Sequence, residues 1–228
     1  MSAVGDDHAG ARTALNARAG TGRILAIDCA TPALSLALFE GGTCLAAHHE
    51  AIGRGHAEAL LPAIAALPGG GRCDRILVDV GPGSFTGVRV GIAAAVALGF
   101  AWSVPVAGFG CLDLVGAMAR DELGLSGDVA VVMIGGHGEL FWAIARPGEI
   151  APVRSTPVAT LAGLIDAPLV VGSGAAQLVA ARGHGEAHAL LPDARQVPLL
   201  APVQRACPAR PVYGRGADAK PMAAAGQN

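Results

Sequence analysis

Hydrophobic residues fall along this chain in short runs separated by glycine-rich turns, and their spacing switches between the periods of strand and helix. Ile24-Leu25-Ala26-Ile27-Asp28 is an apolar run closed by an acid and reads as a buried strand. Residues 34–39 form a second strand, and Gly41-Gly42 turns the chain into a third over residues 43–50, so a three-strand meander opens the fold. In residues 56–67, Leu60, Leu61, Ile64 and Leu67 recur at helical spacing and give one apolar face, with Pro62 in an early turn or kinking the helix. Pro68-Gly69-Gly70-Gly71 ends it. A strand at 76–80, a glycine loop, an alanine-rich helix to about residue 101, a short strand at 104–106 and a helix over 111–122 complete the order βββαβαβα.

A second unit starts near Gly127. Strands at 129–134 and 140–145 flank Gly135-Gly136-His137-Gly138, and a helix over 160–165, a strand at 168–171 and a helix over 174–181 follow. The element order abbreviates that of the first unit, without a residue-level repeat. Beyond about residue 183 the chain is rich in proline, glycine and alanine and is expected to wrap back as irregular structure. The expected division is a disordered tail over 1–22, an N-terminal lobe over 23–122 and a C-terminal lobe with its irregular extension over 123–228, in an α/β class.

Composition narrows the function. With 228 residues and 52% hydrophobic content the chain can bury one large core or two small ones. Sixteen Lys and Arg stand against eighteen Asp and Glu, so no strongly basic face would grip nucleic acid unaided, and any RNA would need a partner to hold it. Cys29, Cys44, Cys73, Cys111 and Cys207 are odd in number, widely spaced and without a C-x-x-C pair, which argues against a disulfide framework or a zinc site and for a reduced, cytoplasmic location. Residues 90–111 are uncharged over a membrane-spanning length, but Gly91, Gly99, Pro105, Gly108 and Gly110 interrupt them. A buried helix followed by a buried strand, with no membrane span, is the expectation. Asp6, Asp7 and His8 near the start argue against a secretory signal.

The stretch with most chemical character is Gly81-Pro82-Gly83-Ser84-Phe85-Thr86-Gly87-Val88-Arg89-Val90-Gly91, between a strand and a helix. Two readings fit it. Backbone amides at the helix start, with Arg89 one turn in, would suit a phosphate or another anion. Equally, a tight strand-to-helix turn needs small residues for close packing. The spacing G-x-G-x-x-x-G is one residue longer than the dinucleotide fingerprint, and no G-K-[ST] follows.

Together with Ile24-Leu25-Ala26-Ile27-Asp28-Cys29-Ala30-Thr31 and His56-Ala57-Glu58-Ala59-Leu60-Leu61-Pro62, that stretch resembles the TsaB (YeaZ) family of bacterial threonylcarbamoyladenosine (t6A) tRNA modification, related to TsaD. Val171-Gly172-Ser173-Gly174-Ala175 and Pro211-Val212-Tyr213-Gly214-Arg215 resemble later landmarks of the family, so the similarity spans most of residues 23–215. The resemblance implies the α/β fold of the actin, Hsp70 and sugar-kinase superfamily, two ribonuclease-H-like lobes. It further implies a non-catalytic partner of a TsaD-type catalytic subunit, joined through the complex by a TsaE-type ATPase, in threonylcarbamoyl transfer to adenosine 37 of tRNAs reading ANN codons. No cofactor would be bound by this chain alone; ATP, Mg and metal would belong to the partner subunits, and tRNA would be met only indirectly. Self-association as a homodimer is an open alternative.

Residue by residue, the resemblance makes Gly81, Pro82, Gly83, Ser84, Phe85, Thr86, Gly87 and Arg89 a loop adjacent to any nucleotide, and places the partner interface on the helices carrying His56, Leu60, Leu61, Ile64, Val90, Ala94, Ala97 and Leu98. Ala93, Ala94, Ala95, Ala97 and Gly99 make the second of these helices thin, which would let another helix approach closely; the same residues would also pack it on its own sheet.

The residues needed for independent catalysis are not in place. Where TsaD-like enzymes have histidines one helical turn apart, the residue four after His56 is Leu60. Asp28-Cys29-Ala30-Thr31 stands where nucleotide-binding relatives have an Asp-x-Gly-Thr turn, so the glycine allowing close phosphate approach is missing. His184 and His188 around Glu186 are expected in a solvated loop, and His48-His49 on opposite faces of a strand. Ser84 and Ser173 lack the nucleophile-elbow pattern. Ile134-Gly135-Gly136-His137-Gly138-Glu139-Leu140-Phe141-Trp142 departs from the family's Asp-Ala-Arg-like turn, keeping Glu139 and an aromatic but not the acid and base of a second-lobe ligand contact. The rival readings are a nucleotide-dependent transferase or M22-type peptidase acting alone, and a self-contained homodimeric binding module.

Overall fold

The computed structural model describes residues 22–214; the expected tail, except Gly22, and Arg215 lie outside the described residues. Strands β1 (Arg23–Asp28), β2 (Ala33–Glu40) and β3 (Thr43–Ala51) form the meander, joined by the Gly41-Gly42 turn in which both glycines have positive φ. Strands β4 (Arg75–Asp79) and β5 (Val106–Phe109) add in parallel beside β1, giving the order β3-β2-β1-β4-β5. Helix α1 (His56–Ala65) leads to β4 through a short 3-10 turn at Pro68–Gly71; α2 (Phe85–Trp102) joins β4 to β5, and α3 (Cys111–Leu123) follows β5. The order βββαβαβα is as expected. Pro62 lies inside α1 on its exposed side, and the strand expected at 104–106 starts later, because Pro105 has no N–H to donate to the ladder.

Alternation along β1 and β4 puts Leu25, Ile27, Ile76 and Val78 on the face covered by α1 and α2. Ala26 and Leu77 point the other way, onto Phe109, Leu114 and Met118. The second sheet has the order β10-β9-β6-β7-β8 and comprises β6 (Val129–Gly136), β7 (Glu139–Ala145), β8 (Arg154–Pro157), β9 (Leu169–Val171) and β10 (Glu186–His188). Val132, Leu140, Trp142 and Val170 pack on α4 (Val158–Ala162) and α5 (Ala175–Arg182), while Val131, Met133 and Ala145 face α3. Helix α3 is therefore the wedge between the two sheets, and residues 111–119 are buried on every side. Gly116 makes this possible, since a Cβ there would overlap that of Ala145.

Three expectations change. Residues 154–157 and 186–188 are edge strands, so Glu186 and His188 lie in β10 and not in a loop. The extension does not stay with the second lobe. Ala194, Val197 and Leu200, in and just after a 3-10 helix at Ala194–Leu199, fill the core of the first sheet beside Phe39 and Leu114. Lastly, α2 is not buried as expected: by length and composition it could cross a membrane, but it packs as a layer on β1 and β4 with only a third of its length buried.

Candidate partner-docking surface and interlobe loops

Open α/β sheets bind ligands beyond the carboxyl ends of their parallel strands. At that edge of the first sheet the turn after β1 meets the loop after β4. Ser84 N–H donates to the Ala30 carbonyl at 2.7 Å, and Ser84 Oγ accepts from Gly87 N–H as the cap of α2. A Cβ on Gly83 would overlap the Ala30 oxygen, and one on Gly87 the Cys29 oxygen. Backbone of the neighbouring turn thus lies directly against both glycines. The second lobe repeats the device: Gly174 N–H donates to the Val132 carbonyl at 3.0 Å, and a Cβ on Gly172 would overlap the same oxygen. Between the lobes runs the segment 211–214. Val212 N–H donates to Val80 at 2.7 Å, Tyr213 reaches α2, and Gly214 lies against Phe141 and Val153.

Beneath these loops two carboxyls are buried side by side. Asp28 and Asp79 end adjacent parallel strands, and each accepts a backbone N–H two residues on, from Ala30 at 2.8 Å and Gly81 at 2.7 Å. The second oxygen of each makes no further hydrogen bond to backbone among the described residues; the neighbouring donors are the opposite carboxyl and, for Asp79, the Cys111 thiol. Burial raises both pKa values, that of Asp79 to about 7, and each carboxyl is a hydrogen-bond partner of the other. One proton shared between them satisfies the geometry. Burial also raises the thiols of Cys29 and Cys111, which makes them poor nucleophiles at neutral pH. Asp113, raised by burial to about 6, accepts from Ala151 N–H and ties the start of α3 to the second lobe.

A Ser, His and Asp also meet, without forming a relay. His49 Nδ1 lies 3.0 Å from Ser35 Oγ and 3.9 Å from Asp193 Oδ2, so one ring nitrogen faces both partners. A catalytic triad uses one nitrogen for each. Ser35 is fully buried and accepts from Ala194 N–H, while Arg195 pairs with Asp193. The cluster pins the C-terminal extension to β2 and β3. His48 faces away, toward Glu50, as strand alternation requires. Among the described residues no group of three His, Cys, Asp or Glu side chains could hold a metal ion.

The surface of α1 and α2 divides the sequence-derived interface residues. His56, Leu60 and Ile64 point into the core of their own lobe, since the single apolar stripe of α1 is consumed by its sheet; Leu61 projects outward, 53% exposed. On α2 the inner stripe is Val88, Gly91, Ile92, Ala95 and Gly99. Val90, Ala94 and Leu98 sit on its flank, half-buried, and Ala97 is exposed. The outer stripe holds two residues the sequence reading did not single out, Phe100, 89% exposed, and Val96, 50%, with Ala93 of the thin face open beside them. At the helix start Phe85 is 58% exposed, with the Arg89 guanidinium 3.6 Å from its ring centroid. Thr86 is exposed, whereas Gly81 and Pro82 are buried and Gly83 is half-buried.

Two mixed five-stranded sheets in this connectivity, with a helical wedge between them, define a two-lobed α/β protein. The family described as TsaD, tRNA N6-adenosine threonylcarbamoyltransferase, matches residues 47–182. An uncharacterized protein of Mycobacterium tuberculosis is 33% identical over 215 residues, covering 88% of this chain and 95% of that one. The tRNA threonylcarbamoyladenosine biosynthesis protein TsaB of Escherichia coli is 36% identical over 126 residues, 53% of this chain and 54% of that protein. The solved structure of YeaZ from Pseudomonas aeruginosa superposes with a TM-score of 0.70 at 29% identity, covering 84% of this chain and all of that one. The chain belongs to the TsaD family, in its TsaB (YeaZ) group of t6A biosynthesis proteins.

Proposed function

We propose that this protein is a non-catalytic, cytoplasmic scaffold that binds a TsaD-type catalytic subunit through the outer faces of α1 and α2, in threonylcarbamoyl transfer to adenosine 37 of tRNAs reading ANN codons. A TsaE-type ATPase joins through the complex, and tRNA is held by the assembly. ATP, Mg and metal are bound in the partner subunits. The observation that carries the reading is the outer stripe of α2: an apolar helix face with Phe100 almost wholly in solvent is costly unless a partner covers it. The loop glycines support it too, because the Ser84 amide is taken by the Ala30 carbonyl, the Gly87 amide by Ser84 Oγ, and the space beside both glycines by the Ala30 and Cys29 carbonyls. Asp28 and Asp79 are fully buried, their oxygens facing each other, backbone amides and, for Asp79, the Cys111 thiol, and not solvent.

The test is light scattering coupled to size-exclusion chromatography on a mixture with the TsaD-type subunit of the same organism. Wild type is expected to give a heterodimer. Phe100→Asp is expected to weaken it by about 30-fold or more, since an exposed anchor becomes a charge that binding would bury. The melting temperature of the free variant should stay at the wild-type value, because Phe100 contacts solvent. A homodimer that persists with the catalytic subunit in excess, or a complex indifferent to Phe100→Asp, overturns the reading.

A further inference from the structure

Arg89 is the only charged residue of α2, and it lies at the wrong end of the helix for a cation, near the positive pole of the helix dipole with no acid in the first turn. Several arginines here are neutralised by acids or spent on carbonyls: Arg23 meets Glu40, Arg146 meets Asp128, Arg195 meets Asp193, and Arg182 bonds Ile165 and Ala167. Arg72 and Arg154 each lie over a single ring, Trp102 at 5.8 Å and Trp142 at 5.0 Å. Arg89 is held more closely, and against two rings. Its guanidinium stacks 3.6 Å from the Phe85 centroid and 5.6 Å from that of Tyr213, and its Nε donates to the Tyr213 hydroxyl at 3.0 Å. The two rings lie 5.8 Å apart and tilted by 32°. Among the described residues no carboxylate lies within ion-pair distance of it.

The cradle is neutral, its rings limit the rotamers of a long side chain, and both terminal nitrogens of the fork keep their donors. That is the state in which an arginine receives a planar anion at least entropic cost. We infer that Arg89, fixed by Phe85 and Tyr213, is the polar anchor of the α2 docking face and receives a side-chain carboxylate of the protein partner. The inference rests on the docking reading above. A nucleic-acid phosphate fits the surroundings less well: a strand-binding face needs several cations, and along α2 the outward neighbours of Arg89 are Ala93, Val96 and Phe100. A lone fixed cation at the end of an apolar stripe has the composition of a protein interface, an apolar centre with a charged rim. Tyr213 arrives from the C-terminal segment that also touches Phe141 through Gly214, so the anchor is complete only when that segment bridges the lobes.

The experiment measures affinity for the TsaD-type subunit from low to high salt, using wild type, Arg89→Met, Arg89→Lys and Phe100→Asp. Arg89→Met keeps a chain that can pack on the rings. It is expected to bind about 10- to 100-fold more weakly at low salt and to lose most of the salt dependence. Arg89→Lys should recover only part, because an ammonium cannot make the two-pronged contact. If Arg89→Met binds as wild type does while Phe100→Asp does not bind, the anchor fails and the docking face stands. If neither change matters, the docking reading itself fails. A weaker Arg89→Met complex with an unchanged salt slope and a lowered melting temperature reduces Arg89 to a fastener of the 211–214 segment, and an intact protein complex with weakened tRNA binding assigns it to phosphate; either result overturns the inference.

Discussion

Gly87→Ala is expected to destabilise the protein by about 3–5 kcal/mol, a fall in melting temperature on the order of 10 °C for a chain of this size. The sign is what makes the result informative. In the first turn of a helix, alanine ordinarily stabilises relative to glycine by up to about 1 kcal/mol, through helix propensity and a smaller loss of backbone entropy. Here the added methyl would overlap the Cys29 carbonyl oxygen, which belongs to the backbone of the adjacent turn and cannot rotate away. Either α2 or the β1–β2 turn must move, and Ser84 N–H then loses the Ala30 carbonyl. The matched control is Gly127→Ala: its φ is not in the left-handed region and nothing lies within 4 Å of the new Cβ, so it should be neutral or slightly stabilising. Thermal unfolding followed by circular dichroism decides. An unchanged melting temperature for Gly87→Ala would mean that the two loops are not packed backbone to backbone, and would return the glycines to the anion-binding reading.

The order of elements was legible because the chain announces it twice: apolar runs set the period, and glycine or proline marks each change of direction. The edge strands had no such signal. Arg154-Ser155-Thr156-Pro157 has no apolar alternation and becomes β8 through backbone pairing with β7 and a hydrogen bond from Trp142 Nε1 to Thr156 Oγ1. β10 is three residues long and pairs only with β9. The orientation of α1 and α2 was half legible. Leu60 and Ile64 are spaced as an apolar face, but one apolar face on a helix of ten residues goes to its own sheet, and only Leu61 beside it is left for a partner. On α2, alanine on every side blurred the periodicity; the informative signal was size, since Val96 and Phe100 are four apart and form one stripe beside the buried one that holds Ile92 and Gly99. The stack of Arg89 on Tyr213 joins residues 124 positions apart, which no local pattern encodes.

These placements connect stability to function through one element. The amino end of α2 is fixed by Ser84, Gly87 and the β1–β2 turn, its inner stripe by β1 and β4, and its first exposed turn by Tyr213. A rigid helix presented this way loses little entropy when a partner covers it. Substitutions in the glycine loop should therefore impair complex formation without touching the partner, by letting the helix start shift.

Asp79→Asn is expected to stabilise the protein at pH 8 and to flatten a dependence of stability on pH that wild type shows between about 4 and about 7. Asp79 is raised to about 7 first by burial, and Asp28, also raised first by burial, faces it across the strand ends. In the unfolded chain both return to the ordinary carboxylate range, near 3.9. Between those limits the folded state therefore holds more protons than the unfolded one, so stability is highest at the acidic end of the window and falls as pH rises. Raising the pH through the folded value of Asp79 places a buried charge beside Asp28 with no cation to meet it, and a loss on the order of a few kcal/mol is expected. The other groups around the pair bear on this in known directions. Asp113, raised to about 6, adds to the same slope; the buried thiols of Cys29 and Cys111 titrate far above the window. Asp193 acts in the opposite sense: burial would raise it, but the hydrogen bonds and charge of Arg195 outweigh burial and lower it, so its contribution is lost in acid. Asparagine at 79 retains an oxygen for Gly81 N–H and offers an N–H to the Asp28 carboxyl, so the pair stays bonded and residue 79 has no proton to lose. Chemical denaturation of both proteins from pH 4 to pH 8 reads the difference. If Asp79→Asn is destabilising at every pH and the slope survives, the two carboxyls do not share a proton, and the buried oxygens must be satisfied in another way.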